Sequence, residues 1–396
     1  MERFLRAAKK AIPKAVFHFF EPAYHFLLAF LAALYYGFPS RRMKVIGITG
    51  TSGKTTTVEF LHEIFYKAGY RTASLSSLRF KIGAKEEPNM LKMTMPGRFF
   101  VQKFLYEAKR AGCQYVFLEV TSEGVKQFRH KFTTLYAAIF TNLSEEHIEA
   151  HGGFENYRAA KGKLFEAAPL HVLNADDPHL TYFFQIPGRK KVLFRASDIP
   201  KNLWLKVAGE FNKMNAMAAI AFSRHEGIRD KISLKALYEI EYLPGRMEYI
   251  PTGKNFGVLV DYAFLPQTLR TIYEEAKASS LKGLVCVIGA TGGGRDKWKR
   301  PAIGDTAAAF CRKVIVTNED PYDEDPLQIM DEVAGAHGFE KILDRREAIR
   351  QALKAAEPGE TVVITGKGAE PWIMGANGKK NSWDDRQIVR EELQKL

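Results

Sequence analysis

Between residues 45 and 243, short apolar runs rich in β-branched residues alternate with stretches whose apolar positions recur every three or four residues. Val45–Thr49, Tyr115–Val120, Ala137–Phe140 and His171–Asn174 read as buried strands, while Val58, Leu61, Ile64, Phe65 and Ala68 mark an amphipathic helix that Gly69 stops. A second alternating block begins near Pro244. Its strands are Val258–Val260, Leu284–Ile288, Val314–Val316 and Val362–Ile364, each followed by a loop bearing Gly or Asp. This alternation predicts an α/β fold with two domains, 43–243 and 244–396, each built on a mostly parallel sheet covered by helices, the second Rossmann-like.

Residues 1–42 follow neither pattern. Lys9, Lys10 and Lys14 precede an aromatic stretch interrupted by His18, Glu21, Pro22 and His25; Phe26 to Phe38 then runs without a charge, and Arg41 and Arg42 close the segment. A spanning helix needs about 20 apolar residues, so this helical arm suits an in-plane or re-entrant anchor at an anionic membrane surface. The other reading is a helix packed on the protein or on a second subunit.

With 396 residues, 46% hydrophobic and 12% aromatic, the chain has material for real cores, which excludes disorder as its main state. Cys113, Cys286 and Cys311 lie far apart without metal-ligand spacing, each in or beside an apolar run, and read as buried thiols of a reducing cytoplasm. A net charge of +13 suits phosphate-rich ligands or an anionic membrane. No interleaving of basic and aromatic residues suggests a nucleic-acid partner.

The densest chemistry follows the first strand, at Gly50-Thr51-Ser52-Gly53-Lys54-Thr55-Thr56. Glycines here let the backbone turn so that loop N–H groups and the helix N-terminus converge on anionic oxygens. A lysine can then reach terminal phosphates and a hydroxyl such as that of Thr55 can bind Mg²⁺. The loop is predicted to bind ATP. The first glycine of the common G-x-x-x-x-G-K-[ST] pattern would fall at position 48, which is Ile48, so this is not a standard kinase or GTPase loop. An ATP site, together with the lack of a small-residue cleavage site before the loop, disfavours a cleaved signal peptide and places the protein in the cytoplasm, at the inner face of the membrane if the arm docks there.

Ligand groups in parallel sheets collect at the carboxyl ends of strands. That rule selects Glu119, Thr121 and Ser122, then Thr141 and Asn142, then Asn174, Asp176 and Asp177. Glu119 and His147 are candidate ligands for divalent metal beside the loop.

Read in order, Gly50–Thr55, Glu119-Val120-Thr121-Ser122, Phe140-Thr141-Asn142-Leu143, Glu146-His147, Tyr157-Arg158-Ala159-Ala160-Lys161 and Asn174–Pro178 resemble the central domain of the Mur ligases, closest to their tripeptide-synthetase branch. The resemblance continues through Asn212 with Asn215, Arg246, Asp261, Gly294-Arg295-Asp296-Lys297, Gly366-Lys367-Gly368 and Asp384-Asp385-Arg386. It implies an ATP-dependent ligase that forms an amide through an acyl phosphate, adding an amino acid to a cell-wall precursor. It further implies phosphate and metal contacts from Lys54 and Thr55, and metal ligation by Glu119 and His147. Lys161 would be converted by CO₂ into a carbamate that holds the second of two Mg²⁺ ions. Lys54, Asn142, His147 and Lys161 form the implied catalytic set, and Asn215, Arg246 and Asp261 the implied nucleotide contacts. Thr94, Thr121, Ser122, Arg295, Asp320, Gly366 and Glu370 are the implied substrate contacts.

Three departures qualify this expectation. The family's N-terminal domain, which grips a uridine nucleotide, has no counterpart in residues 1–42, so the expected acceptor is either nucleotide-linked or lipid-linked. The family's Asp-Asn-Pro-Arg, whose arginine recognises diaminopimelate's free carboxylate, corresponds to Glu319-Asp320-Pro321-Tyr322; the acidic run through Asp325 would either attract a basic amine or simply be solvated. Histidines expected after Ser122, Ala263 and Gly368 are Glu123, Phe264 and Ala369. Alternatives left open are a ligase of the folylpolyglutamate type, a kinase or simple NTPase, and a nucleotide-binding membrane scaffold without turnover.

Overall fold

The computed structural model describes residues 14–146 and 148–396 and resolves into two compact units. Of the described residues, the first comprises those up to Leu143, Arg158–Asp198 and Met217–Ser233; the second comprises those within Ser144–Tyr157, Ile199–Ala216 and Leu234–Leu396.

In the first unit the strands are β1 (Lys44–Thr49), β2 (Thr72–Leu75), β3 (Arg79–Ile82), β4 (Lys85–Pro88), β5 (Tyr115–Glu119), β6 (Leu135–Phe140), β7 (Leu170–Asn174) and β8 (Lys190–Phe194). They form one sheet in the order β4-β3-β2-β5-β1-β6-β7-β8. From β2 to β8 every pairing is parallel, whereas β3 and β4 join antiparallel at one edge. With this edge the sheet is mostly parallel, as the alternation of strands and helices predicts. The edge strands carry Arg79, Lys81, Lys85, Glu86 and Glu87 instead of an apolar run, as suits a short edge that must not recruit another chain.

Register fixes what the sheet presents. Ile48 pairs with Glu119 across β1/β5 and Thr49 pairs with Phe140 across β1/β6, so the chain leaves three neighbouring strands at one level. Val45, Ile46 and Ile48 are fully buried, because β1 is central and covered on both faces. Helix Lys54–Lys67 follows directly, burying Val58, Leu61, Ile64 and Phe65.

The helix Lys14–Tyr35 buries Ala29, Ala32 and Ala33 and packs Phe26 and Phe30 edge-on against Phe132. Among the described residues no helix is long and apolar enough to cross a membrane. Lys9 and Lys10 lie outside the described residues.

In the second unit, strands β9 (Glu248–Tyr249), β10 (Gly257–Val260), β11 (Gly283–Ile288), β12 (Lys313–Thr317), β13 (Glu340–Ile342) and β14 (Glu360–Ile364) form a sheet in the order β13-β12-β11-β14-β10-β9. Only β9 runs antiparallel. One core gathers Leu259, Cys286, Ile288, Val316 and Val363 on one face; Val258, Val285, Val287, Ile315 and Val362 meet Ile349 and Val389 on the other. A separate hairpin joins β15 (Trp372–Met374) to β16 (Lys380–Ser382).

One sequence expectation is corrected here. Cys286 on β11 and Cys311 at the end of helix Lys299–Phe310 form a disulfide with Cα atoms 6.1 Å apart, and only Cys113 is a buried free thiol. Packing that helix against its own strand brings together two cysteines that look unrelated along the chain.

Candidate active site

The loop after β1 is shaped by the segment that leaves β6. Thr51 N donates to Asn142 O and Ser52 N to Asn142 Oδ1, both at 2.9 Å, while Asn142 Nδ2 returns a hydrogen bond to Ser52 O at 3.2 Å. Thr141 Oγ1 also donates to Ser52 O, at 2.7 Å. This approach is possible only because position 50 lacks a side chain: a Cβ on Gly50 would lie 1.9 Å from Thr141 Oγ1. Gly53 caps the following helix in the left-handed region (φ 80°), which aims the first-turn N–H groups outward from the helix end.

Two ammonium groups converge on this loop. Lys54 Nζ donates to Gly50 O at 3.0 Å and to Thr51 O at 2.7 Å. Lys161, only 2% exposed, donates to the same Gly50 carbonyl at 2.7 Å.

Beside them lies a set of oxygen donors. Thr55 Oγ1 donates to Glu119 Oε2 at 3.0 Å and sits 2.8 Å from Ser77 Oγ; Ser77 N donates to the same Glu119 oxygen at 2.8 Å. Hydroxyls and a carboxylate are the ligands a hard divalent cation prefers, and Mg²⁺ commonly takes only one or two protein oxygens beside water and phosphate. Sequence reasoning missed Ser77. It follows the four-residue strand β2, and a Ser-Ser pair there carries no motif. His147 lies outside the described residues, and among the described residues no three His, Cys, Asp or Glu side chains form a metal-holding group.

Other residues selected at strand ends support the loop. Asn174 Nδ2 donates to Thr141 O at 2.8 Å, and Asp176 N donates to Asn174 Oδ1 at 3.0 Å. Asp177 accepts from Leu143 N at 2.9 Å and from His179 N at 2.8 Å, while burial pushes its carboxyl above the usual range. Thr121 caps helix Ser122–Lys126 by accepting from Gly124 N at 3.0 Å. Ser122 is buried, Thr94 is half-buried, and Thr56 is buried in the first turn after the loop.

In the second unit, Asp261 accepts from Met247 N at 2.7 Å and from Ala263 N at 2.6 Å. Burial raises its pKa and the nearby Arg246 charge pulls it back. Arg246 stacks 4.4 Å over the Tyr262 ring. Asn215 is buried and donates to Asn212 Oδ1 at 2.9 Å.

A buried ionic group surrounds Lys367, which is fully buried. Its Nζ reaches Asp320 at 3.0 and 3.1 Å and Glu370 at 2.5 Å, and Met374 N donates to Asp320 at 2.8 Å. Arg295 stands in the field of Tyr262, Tyr322, Glu146 and Glu370; burial opposes its charge and these neighbours favour it. Glu319 accepts from Thr291 Oγ1 at 2.6 Å, and its other oxygen lies against Gly366. The acidic run is thus split: Glu319 and Asp320 are buried and engaged, whereas Asp323 and Asp325 are exposed but still hydrogen-bonded. Asp323 accepts from Asn377 N at 2.7 Å, Glu324 from Arg300 at 2.9 Å, and Asp325 caps the next helix.

This arrangement of loop, paired cations and oxygen donors suits triphosphate chemistry, and sequence relatives agree. Residues 48–198 match the Mur ligase middle domain and residues 245–368 match the Mur ligase glutamate ligase domain. The UDP-N-acetylmuramoyl-L-alanyl-D-glutamate–2,6-diaminopimelate ligase of Syntrophomonas wolfei subsp. wolfei is 35% identical, over 92% of this chain and 81% of the relative. The UDP-N-acetylmuramyl-tripeptide synthetase of Roseiflexus sp. (strain RS-1) is also 35% identical, over 93% of this chain and 82% of its own length. A solved UDP-N-acetylmuramoyl-L-alanyl-D-glutamate–2,6-diaminopimelate ligase superposes with a TM-score of 0.59 at 27% identity, covering 89% of this chain and 78% of that one. The chain belongs to the Mur ligase family of ATP-dependent ligases.

Proposed function

We propose that this ligase activates a carboxylate of a peptidoglycan-type precursor with ATP and couples it to an amino acid. The observation that supports this most is the meeting of Lys54 and Lys161 at Gly50 O, beside the Thr55–Ser77–Glu119 oxygens.

In the first step an acceptor carboxylate oxygen bonds to the γ-phosphorus, the bond to the bridging oxygen breaks, and ADP leaves. In the second, the amine nitrogen bonds to the carbonyl carbon of the acyl phosphate, loses a proton, and phosphate departs. Both steps concentrate negative charge on phosphoryl or tetrahedral oxygens. Lys54 exchanges its carbonyl partners for the terminal phosphates, and Asn142 holds the loop that carries it. Bound Mg²⁺ neutralises and polarises those phosphates. Thr55 and Glu119 are the residues suited to hold it, together with His147 and Lys161. An ammonium at Lys161 would repel the ion, whereas reaction of its neutral amine with CO₂, with loss of a proton, gives a carboxylate-like carbamate. Asn215, Arg246 and Asp261 serve the nucleotide.

Thr94, Thr121, Ser122, Arg295, Asp320, Gly366 and Glu370 serve the two substrates in this reading. Because Tyr322 offers no guanidinium, an amine without a second carboxylate, such as lysine, fits better than diaminopimelate. The acceptor is nucleotide- or lipid-linked. The aromatic helix Lys14–Tyr35 favours contact with the inner leaflet from the cytoplasm. Release of ADP, followed across amino acids with each class of acceptor, tests the reading: amine-dependent turnover supports it, and turnover indifferent to any amine overturns it.

A further inference from the structure

The helix Lys14–Tyr35 is apolar on two sides. Its inner side buries Ala29, Ala32 and Ala33; Phe26 and Phe30 touch Phe132 yet stay partly exposed, and Phe20, Leu27, Leu31, Leu34 and Tyr35 are exposed, Tyr35 at 77%. A stripe of this size needs a reason. The chain then turns through Pro39–Arg42 into β1, and there a groove of about 730 Å³ opens, lined by Arg41, Arg42, Met43, Lys44, Tyr70 and Lys109 among others. No carboxylate is among its lining residues. Lys44 is held by Glu226 at 2.5 Å, which leaves Arg41, Arg42 and Lys109 as its cations, with Arg41 4.6 Å over the Phe38 ring. The groove lies on the strand-entry side of the sheet: Lys44 opens β1 and Tyr115 opens β5, whereas the ATP loop leaves β1 at its far end. It is therefore not part of the phosphate site.

We infer that the Arg41–Arg42–Lys109 groove binds the phosphate of an anionic phospholipid headgroup while the exposed stripe of the adjoining helix enters the acyl boundary of the same leaflet. This rests on the membrane contact proposed above and adds a defined headgroup site to it. A cationic groove that follows an apolar helix directly along the chain is the charge arrangement that an interfacial helix uses at an anionic surface. A second copy of this chain, itself carrying net charge +13, would bring the same cations against each other.

The test is sedimentation of the full-length protein with vesicles of phosphatidylcholine alone or containing 30% phosphatidylglycerol. Wild type should partition into the anionic vesicles, and the triple variant Arg41→Gln/Arg42→Gln/Lys109→Gln should bind about 100-fold more weakly, roughly fivefold per charge. Leu27→Ser/Leu31→Ser should weaken binding to both vesicle types. A triple variant that binds like wild type overturns the headgroup site while leaving the apolar contact standing. Wild type that binds neither vesicle overturns both. Loss of binding in inorganic phosphate, but not in chloride of equal ionic strength, would support the groove as the site that meets the vesicle; inorganic phosphate bound by wild type and not by a triple variant that still binds anionic vesicles like wild type would assign the groove to free phosphate and overturn the lipid assignment. ADP release by the triple variant in solution should match wild type, which shows that the fold is intact.

Discussion

Lys54 and Lys161, far apart in sequence, donate to the same carbonyl oxygen, that of Gly50, at 3.0 and 2.7 Å. Two lysine side chains meet on one backbone oxygen, and Lys54 also donates to Thr51 O at 2.7 Å. Such a pair suits a loop that is to receive a polyanion. The account of catalysis rests on that relationship.

Gly50 should not accept a side chain. With a Cβ 1.9 Å from Thr141 Oγ1, Gly50→Ala must displace the segment that holds Ser52 through Asn142. Nucleotide affinity, measured by calorimetry, should fall at least about tenfold, the scale of one or two lost charge-assisted hydrogen bonds. The melting temperature should fall as well, because the same Cβ lies 2.9 Å from the backbone oxygen of Asn142.

The eight apolar runs read as strands were legible because a buried parallel strand is a continuous β-branched run, and Val45–Thr49 and Val362–Ile364 show this plainly. Strands β3 and β4 were not, since Arg79–Ile82 and Lys85–Pro88 are held by ladder bonds and charge pairs at an edge instead of by burial. Lys54 and Thr55 stand out because their chemistry is local. Ser77 became visible only once β2 lay beside β5, and the Lys367–Asp320 pair once β12 and β14 were placed in one sheet.

That buried pair yields a stability prediction. Asp320→Ala removes a carboxylate that the fully buried Lys367 meets at 3.0 Å, and breaking such a pair costs about 3 kcal/mol or more. Urea unfolding should record this loss without any substrate present. Unchanged stability would return Asp320 to a purely substrate-binding role.

Stability should also fall on the acid side. His62 is buried beside Lys81 and Arg79, and burial first, then Lys81, hold its pKa down to about 3 although Glu59 pulls upward. Below about 6.5 the unfolded chain protonates this histidine while the folded one does not. Folding therefore loses up to about 1.4 kcal/mol per pH unit until pH reaches about 3, and regains it as pH rises. Glu59, held low by Lys81 and Arg79 against its burial, slopes in the same direction. His62→Gln should flatten the urea midpoint between pH 6.5 and 4.5, and an unaltered slope would contradict this.

The Cys286–Cys311 bridge closes a separation of 25 residues. On loop-closure grounds its reduction should cost about 3 kcal/mol. Thermal unfolding with and without reductant reads the difference, and Cys311→Ser should match the reduced wild type.

The most direct measurement is amine-dependent ADP release by Lys161→Ala set beside its ATP affinity. The account predicts turnover lowered at least about 1,000-fold, the scale of a removed transition-state contact, with ATP affinity within a few-fold of wild type. Turnover comparable to wild type would contradict it, since a buried lysine on Gly50 O would then be only a structural tether.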